Sequence, residues 1–446
     1  MAANSTKATF RRTFPQGIHP PAQKSATKDL PIRRFPFAPG LMVPLQQHAG
    51  RPALAVVREG QEVTRGELLA SPDGDLSVAM HAPASGTVRR IALMPNAAGT
   101  MVNGIYLEPL PASTQEVAEG VPCPLTATPA EILAAIQNAG IVGLGGAAFP
   151  THVKLRVPAD RNVDAIIING AECEPYLTTD HRVMLEQRED VLRGVRYLLR
   201  ACGAERAILA AETHSEAALA QIESAVPADL PLETATLQVK YPQGAEKILI
   251  ETLLGRQVPS GKLPLDAGAI CINVATTAEI GRLLPHGRGI QERVITISGP
   301  AVRDKGNYRI PIGTPLRFVL DQVGVSDDVS RVFLGGPMMG TAVASLDVPI
   351  TKGTSGVTAM TSQQTSSKRI YPCIRCGYCV EACPLFLNPC QLGVLARHNE
   401  FETMRDELKL FDCFECGACA YVCPSHLPLV QEFRAAKAQL RRLSTP

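Results

Sequence analysis

Two stretches of this chain carry thiols at a spacing that does chemistry: YPCIRCGYCVEACPLFLNPC at 371–390 and DCFECGACAYVCP at 412–424. Each holds C-x2-C-x2-C-x3-C-P, formed by Cys373, Cys376, Cys379 and Cys383 before Pro384, and by Cys413, Cys416, Cys419 and Cys423 before Pro424. That spacing belongs to bacterial-type [4Fe–4S] clusters, in which three close thiolates take three corners of a cube and the fourth cysteine serves the other cluster. The expected ligand sets are Cys373, Cys376, Cys379 and Cys423 for one cluster, and Cys413, Cys416, Cys419 and Cys383 for the second. Zinc sites more often present two C-x2-C pairs across a long spacer, so four cysteines in eleven residues favour iron–sulfur. Cys390 lies outside the pattern and is expected as a buried thiol. Cys123, Cys173, Cys202 and Cys271 are isolated and expected to pack as small hydrophobes.

Such clusters pass one electron at a time, so the rest of the chain should hold a source or sink. Its 446 residues suffice for about three domains, and 45% hydrophobic with 19% charged residues is ordinary for globular protein. A net charge of +2 and only 4% aromatics provide neither a basic footprint nor stacking platforms for nucleic acid. No secretory signal and no apolar run of membrane-spanning length stands out, and thirteen cysteines without an export signal point to a reducing compartment.

The elements that must position the chemistry change along the chain. Residues 1–120 are rich in proline and glycine with short β-like runs, and VREGQEVTRGELLASPDGDLSVAMHAPASGTVRRI resembles a lipoyl-type barrel-sandwich domain. The hairpin tip SPDGDLSVAM lacks the lysine a lipoylated version requires, so the module is expected to be structural. Residues 121–265 alternate helix and strand: TPAEILAAIQNAGI has a Thr cap and an early proline, NVDAIIING and ERAILAAE are buried-strand runs, and TTDHRVMLEQREDVLRGVRYLLRACG reads as one amphipathic helix. Residues 266–355 read as a small β-grasp module, 356–368 as a polar linker and 369–446 as the cluster domain. The fold class expected is multidomain α/β.

GLGGAAFPTHVKL (143–155) nominally matches G-x-G-x-x-G/A but follows a helix rather than a strand, so the motif alone carries little weight. Its chemistry still holds, because clustered glycines let amides close on a phosphate and Lys154 adds positive charge. In INGAECEPYLTTDHR, Glu172, Glu174 and Asp180 sit beyond the carboxyl end of a strand, where open α/β sheets bind ligands.

Together with the paired cysteine runs, GIHPP, GLGGAAFPTHVKL, NGAECEPYLTTDHRVM, YPQGAEK, CINVATTAEI and GGPMMG, in that order over nearly the whole chain, resemble the RnfC component of the Rnf (Rsx) electron-transport complex. The middle part is similar to the FMN-binding, NADH-oxidising subunit of respiratory complex I. The resemblance implies a barrel-sandwich module, a Rossmann-like FMN/NADH domain, an SLBB-like β-grasp module and an α-helical two-[4Fe–4S] ferredoxin-type domain. It implies that Gly143, Gly145, Gly146 and Lys154 serve the FMN phosphate. Asn169, Glu172, Tyr241, Gly244, Glu246, Asn273 and Thr276 would contact the flavin, and Phe149 and Glu174 would face NAD(H). Leu144, Ala148 and Ala171 depart from the complex I type, which carries Arg, Gly and an acid there. No acid or base residue is assigned to catalysis. The implied partners are the iron–sulfur and integral membrane subunits of the complex, with ferredoxin reached indirectly, at the cytoplasmic side of a bacterial inner membrane. The implied activity is electron exchange between NAD(H) and ferredoxin, coupled to ion translocation. The alternative is a soluble flavin/iron–sulfur reductase related to cobalamin reductase.

Overall fold

In a computed structural model the residues described are 12–365 and 368–443; the ends of the expected first and last domains, and residues 366–367 of the expected linker, lie outside them. The centre is a four-stranded parallel sheet in the order Leu232–Leu237, Arg206–Glu212, Ala165–Gly170, Ala269–Asn273. Ile166, Ile167 and Ile168 are fully buried there, which is why the run reads as continuously apolar. From Ala165–Gly170 the chain proceeds to one side for two strands and later returns to the other side for Ala269–Asn273. That reversal opens a crevice at the carboxyl ends of the two adjacent strands, with Asn169 paired in register to Asn273.

The helix Pro129–Asn138 begins as its sequence predicts, with a Thr128/Glu131 capping box and Pro129 in the first turn. The long amphipathic segment, expected as one helix, is two, Thr179–Glu186 and Arg188–Cys202, interrupted at Gln187. The second packs on Val274–Leu283 through glycine: a Cβ on Gly194 would lie 1.9 Å from the Thr277 carbonyl oxygen, and one on Gly281 would lie 1.9 Å from that of Asp190.

Around this centre lie three further bodies. The N-terminal sandwich has one sheet of Leu41–Pro44, Met101–Pro109, Gly86–Pro95 and Glu62–Val63, and a second of Leu54–Ala55, Leu68–Ser71 and Met80–His81. The lysine-free tip is a clamp: Gln137 Nε2 donates to the Gly74 and Ser77 carbonyls, and His152 Nε2 lies 2.9 Å from the Asp75 carbonyl oxygen. The β-grasp body is a six-stranded mixed sheet, ordered Ile32–Arg34, Gly306–Pro311, Glu292–Ser298, Gly356–Thr361, Val329–Leu334, Thr341–Ala342, with the helix Leu316–Val323 against it. The cysteine-bearing body is helical, built on Pro389–Arg397 and Leu429–Leu443 around Leu392, Met404 and Phe433.

Three expected boundaries differ from the structure. The linker expected at 356–368 begins with the buried strand Gly356–Thr361, inserted between two others. Its Thr- and Ala-rich sequence looks polar, but Val357 and Ala359 enter the core and Thr358 Oγ1 donates to the Gly335 carbonyl at 2.8 Å. Ala269–Asn273 and Val274–Leu283, expected in the β-grasp module, belong to the parallel sheet and its helices. Ile32–Arg34, expected in the N-terminal barrel, pairs parallel with Gly306–Pro311. In each case a long-range pairing decides, and local composition is silent about it.

Because Gly194 holds the Val274–Leu283 helix and thereby Asn273, Gly194→Ala should destabilise the protein by about 1–3 kcal/mol through overpacking. Thermal unfolding of the purified variant checks this; an unchanged midpoint would show that the helices separate without cost.

Candidate functional site

The crevice is a cavity of about 410 Å³, within the range of small-molecule sites. Its wall includes Gly145, Asn169, Glu172, Glu174, Tyr241, Gly244, Glu246 and Asn273, drawn from four separate stretches of chain. The two asparagines at the strand ends shape it. Asn169 Nδ2 donates to the Gly244 carbonyl at 2.8 Å, and its Oδ1 accepts from the Ala171 amide at 3.0 Å. Asn273 caps its helix by accepting from the Ala275 and Thr276 amides, and its Nδ2 donates to Asp180 Oδ2 at 2.7 Å. A Cβ on Gly244 would meet the Ala171 carbonyl oxygen at 2.1 Å, so only glycine allows these two segments to close.

Of the remaining expected residues, Gly143, Gly146, Phe149, Lys154 and Thr276 are not in the wall. The Gly143 amide is spent on the Phe149 carbonyl at 2.8 Å, closing the glycine loop. Thr276 Oγ1 accepts from the Leu144 amide at 2.9 Å and so positions that loop. Lys154 Nζ pairs with Glu246 Oε1 at 2.7 Å, and Phe149 is exposed. The Gly145 and Gly146 amides, in exposed backbone, have no acceptor among the described residues.

Glu172 takes the Asp180 amide at 3.2 Å on Oε1, while its buried Oε2 has no hydrogen-bond partner among the described residues and lies 4.0 Å from Lys24 Nζ. Glu174 accepts from the Met338 and Met339 amides at 3.3 and 2.6 Å, so the GGPMMG loop of the β-grasp body is fastened to the cavity. Burial pushes the Glu174 carboxyl up to about 7, and burial with the Glu172 charge pushes Asp180 up to about 8; burial raises Glu172 as well. The site therefore carries less negative charge at neutral pH than its carboxylates suggest. Arg293, fully buried, donates to the Leu144 carbonyl at 2.9 Å and the Thr354 carbonyl at 3.2 Å, and burial lowers it only to about 10. Neither Arg293 nor Lys24 carries a local sequence signal, since each becomes part of the site only through distant packing.

The cysteine runs form two similar turns. Gly377 and Gly417 adopt φ of +86° and +83° before short helices, and the Arg375 and Glu415 amides each lie 3.4 Å from the sulfur two residues back, Cys373 and Cys413. Cys373, Cys376, Cys379 and Cys423 line one small cavity; Cys413, Cys416, Cys419 and Cys383 line another. Among the described residues no three or more His, Cys, Asp or Glu side chains are gathered closely enough for a single metal ion. Small cavities with four or more thiols in their walls, and a backbone amide near sulfur, fit a cluster. Cys390 differs from its expectation: it is half-buried in the wall of the first cavity, 3.6 Å from Cys373 Sγ. Cys123, Cys202 and Cys271 are buried, and Cys173 lies in the crevice wall, accepting from the Gly244 amide at 3.4 Å.

The crevice and the second sulfur cavity adjoin, a residue lining one hydrogen-bonding to a residue lining the other. Tyr241, 1% exposed, donates its hydroxyl to the Cys416 carbonyl at 2.7 Å, and Phe414 lines the crevice. The first sulfur cavity faces outward, with Cys376, Ile374 and Tyr378 exposed. GIHPP supports this junction, since Ile18 exchanges both backbone hydrogen bonds with Tyr241.

Four family descriptions match in order: RnfC barrel sandwich hybrid domain at 12–110, Nuo51 FMN-binding domain at 136–282, SLBB domain at 294–342 and 4Fe-4S dicluster domain at 369–427. The chain thus carries an FMN-binding domain and a domain for [4Fe–4S] clusters. It is 38% identical to the C component of the Na(+)-translocating ferredoxin:NAD(+) oxidoreductase complex of Acetobacterium woodii over 87% of this chain and 88% of that one. It is 39% identical to the proton-translocating counterpart of Clostridium ljungdahlii over 96% and 94%. It is 38% identical to the C component of the ion-translocating oxidoreductase complex of Rhodobacter capsulatus over 95% and 82%.

Two outcomes follow from this geometry. Tyr241→Phe leaves the Cys416 carbonyl without its donor and should cost about 1–2 kcal/mol of unfolding free energy, read by denaturant titration. For Glu174, the folded carboxyl near 7 against an ordinary 4.5 means the folded state keeps the proton longer, so its contribution to stability falls as pH rises through that window. The stability of Glu174→Gln relative to the parent should therefore rise by about 2 kcal/mol from about pH 5 to about pH 8. A constant difference would show that the carboxylate is as easily charged folded as unfolded.

Proposed function

Because this chain belongs to the RnfC family, the C components of multi-subunit ion-translocating ferredoxin:NAD(+) oxidoreductase complexes, we propose that it exchanges electrons between NAD(H) and ferredoxin through FMN and two [4Fe–4S] clusters. The observation that carries the proposal is the junction at which Tyr241 of the crevice wall donates to the Cys416 carbonyl and Phe414 of the same cysteine run lines the crevice. FMN, when bound, accepts a hydride's two electrons and releases them singly, which is the conversion a one-electron relay requires. The protein's own residues do the rest. The free Gly145 and Gly146 amides receive the phosphate, with the Lys154–Glu246 pair close by, and Glu172 Oε2 accepts a hydrogen bond from the ligand. Asn169, Tyr241, Gly244, Asn273 and Thr276 hold the crevice around the flavin, while Phe149 and Glu174 attend the nicotinamide nucleotide. Cys413, Cys416, Cys419 and Cys383 ligate the inner cluster, and Cys373, Cys376, Cys379 and Cys423 the outer one.

The outward-facing cavity is where the electrons enter or leave, toward the iron–sulfur subunit of the complex and, through it, ferredoxin. Among the described residues no helix is long and apolar enough to cross a membrane. In this reading the chain sits peripherally, on integral membrane subunits at the cytoplasmic side of the bacterial inner membrane. The alternative of a soluble cobalamin-reductase relative is not favoured, since 12–110 match the RnfC barrel sandwich domain.

Anaerobically purified protein should contain about eight iron, about eight sulfide and one flavin per chain, by elemental analysis and absorbance; zinc without flavin would overturn the proposal. Cys376→Ser should lose one cluster and retain flavin reduction by NADH in stopped flow. Glu174→Ala should slow that reduction with both clusters assembled.

A further inference from the structure

The outer sulfur cavity is lined by five cysteines, whereas a cubane takes four thiolates. The fifth, Cys390, is the second residue of the helix Pro389–Arg397, whose start is fixed by Pro389 and by Asn388 Oδ1 accepting from the Gln391 amide at 3.1 Å. Its sulfur is thus held at a definite place on the rim. It stands 3.6 Å from Cys373 Sγ, and is not part of the apolar core that takes in Cys373, Cys379 and Cys423. Two sulfurs at that separation address the same corner of a guest in the cavity. Among the described residues the inner cavity has only its four thiols, so the duplication is confined to the outward-facing one.

We propose that Cys390 is a reserve ligand of the outer cluster, able to take the corner served by Cys373 when that bond is lost. The exchange is a substitution at one iron: the Fe–S bond to Cys373 breaks, that thiolate takes up a proton, and the Cys390 thiol gives up a proton as its own Fe–S bond forms. No electron is gained or lost, and iron and sulfide stay in place. The outer cluster is the one that needs such a reserve, since Cys376 and the neighbouring Ile374 are open to solvent and oxidants. The proposal rests on the reading of these thiols as [4Fe–4S] ligands.

The test compares full-length, anaerobically purified parent with Cys390→Ser, Cys373→Ser, Cys373→Ser/Cys390→Ser and Cys376→Ser. Iron and sulfide are counted per chain, with EPR of the dithionite-reduced protein and flavin content as the measure of intact fold. Cys390→Ser and Cys373→Ser should each keep about eight iron, while the double variant and Cys376→Ser should fall to about four. A fall of Cys373→Ser to about four, equal to that of Cys376→Ser, would overturn the reserve role. So would a fall of Cys390→Ser alone, which would make Cys390 an obligatory ligand. A parent without iron would instead sink the cluster reading itself. Labelling with iodoacetamide under native conditions gives a second readout. Cys390 should be modified in the parent and protected in Cys373→Ser, and modification in both would overturn the proposal even where iron is partly lost.

Discussion

Buried carbonyls at the junctions between bodies need donors, and in this chain buried cations from distant sequence supply them. Arg293 of the β-grasp sheet donates to the Leu144 carbonyl in the glycine loop, and Lys352 Nζ donates to the Ala79 carbonyl of the sandwich and to that of Gly140 at the start of the loop. Lys24 donates to the Glu174 and Leu177 carbonyls. An unpaired carbonyl in such a place costs on the order of 1–3 kcal/mol, so each contact strongly restricts how the bodies can sit. Lys352 shows the other side of the balance, since burial lowers it to about 7. These contacts fix the glycine loop and the 174–177 segment, both of which wall the crevice.

The same constraint shapes the electrostatics. A cavity walled by Glu172, Glu174 and nearby Asp180 would repel an anionic cofactor if all three were charged. Burial raises all three, while Arg293 remains cationic beneath the loop and Lys24 stands beside Glu172. The acids can then serve as hydrogen-bonding groups with modest total charge. Glu174 is also committed to the GGPMMG loop, and a Cβ on Gly417 would come within 3.4 Å of the Met338 carbonyl oxygen. One loop therefore touches both the crevice and the sulfur-bearing turn, which links the fit of a ligand to the placement of the inner thiols.

Much of the site was legible locally. The cysteine spacing, the Thr128/Glu131 cap and the apolar Ala165–Gly170 run each carry their structure in a few residues, because loop conformation, capping and full burial have short-range signatures. The Cys390 expectation failed because a spacing rule sees distance along the chain and not the return of a helix to the same cavity. The linker expectation failed for a related reason: threonine and alanine are compatible with a solvated segment or a covered central strand, and only neighbouring strands choose between them.

By itself the sequence determined which chemistry was available: paired thiol runs, a glycine loop free to present amides, and acids at the end of a buried strand. These depend on residue type and near neighbours. Tertiary structure alone decided which of the two sulfur sets faces outward, that Tyr241 joins the other set to the crevice, and that Arg293 and Lys24 stand behind it. The Tyr241, Arg293 and Lys24 contacts span 149 to 175 residues of chain. Such contacts are selected by burial and hydrogen-bond satisfaction over the whole fold, and no local pattern encodes them.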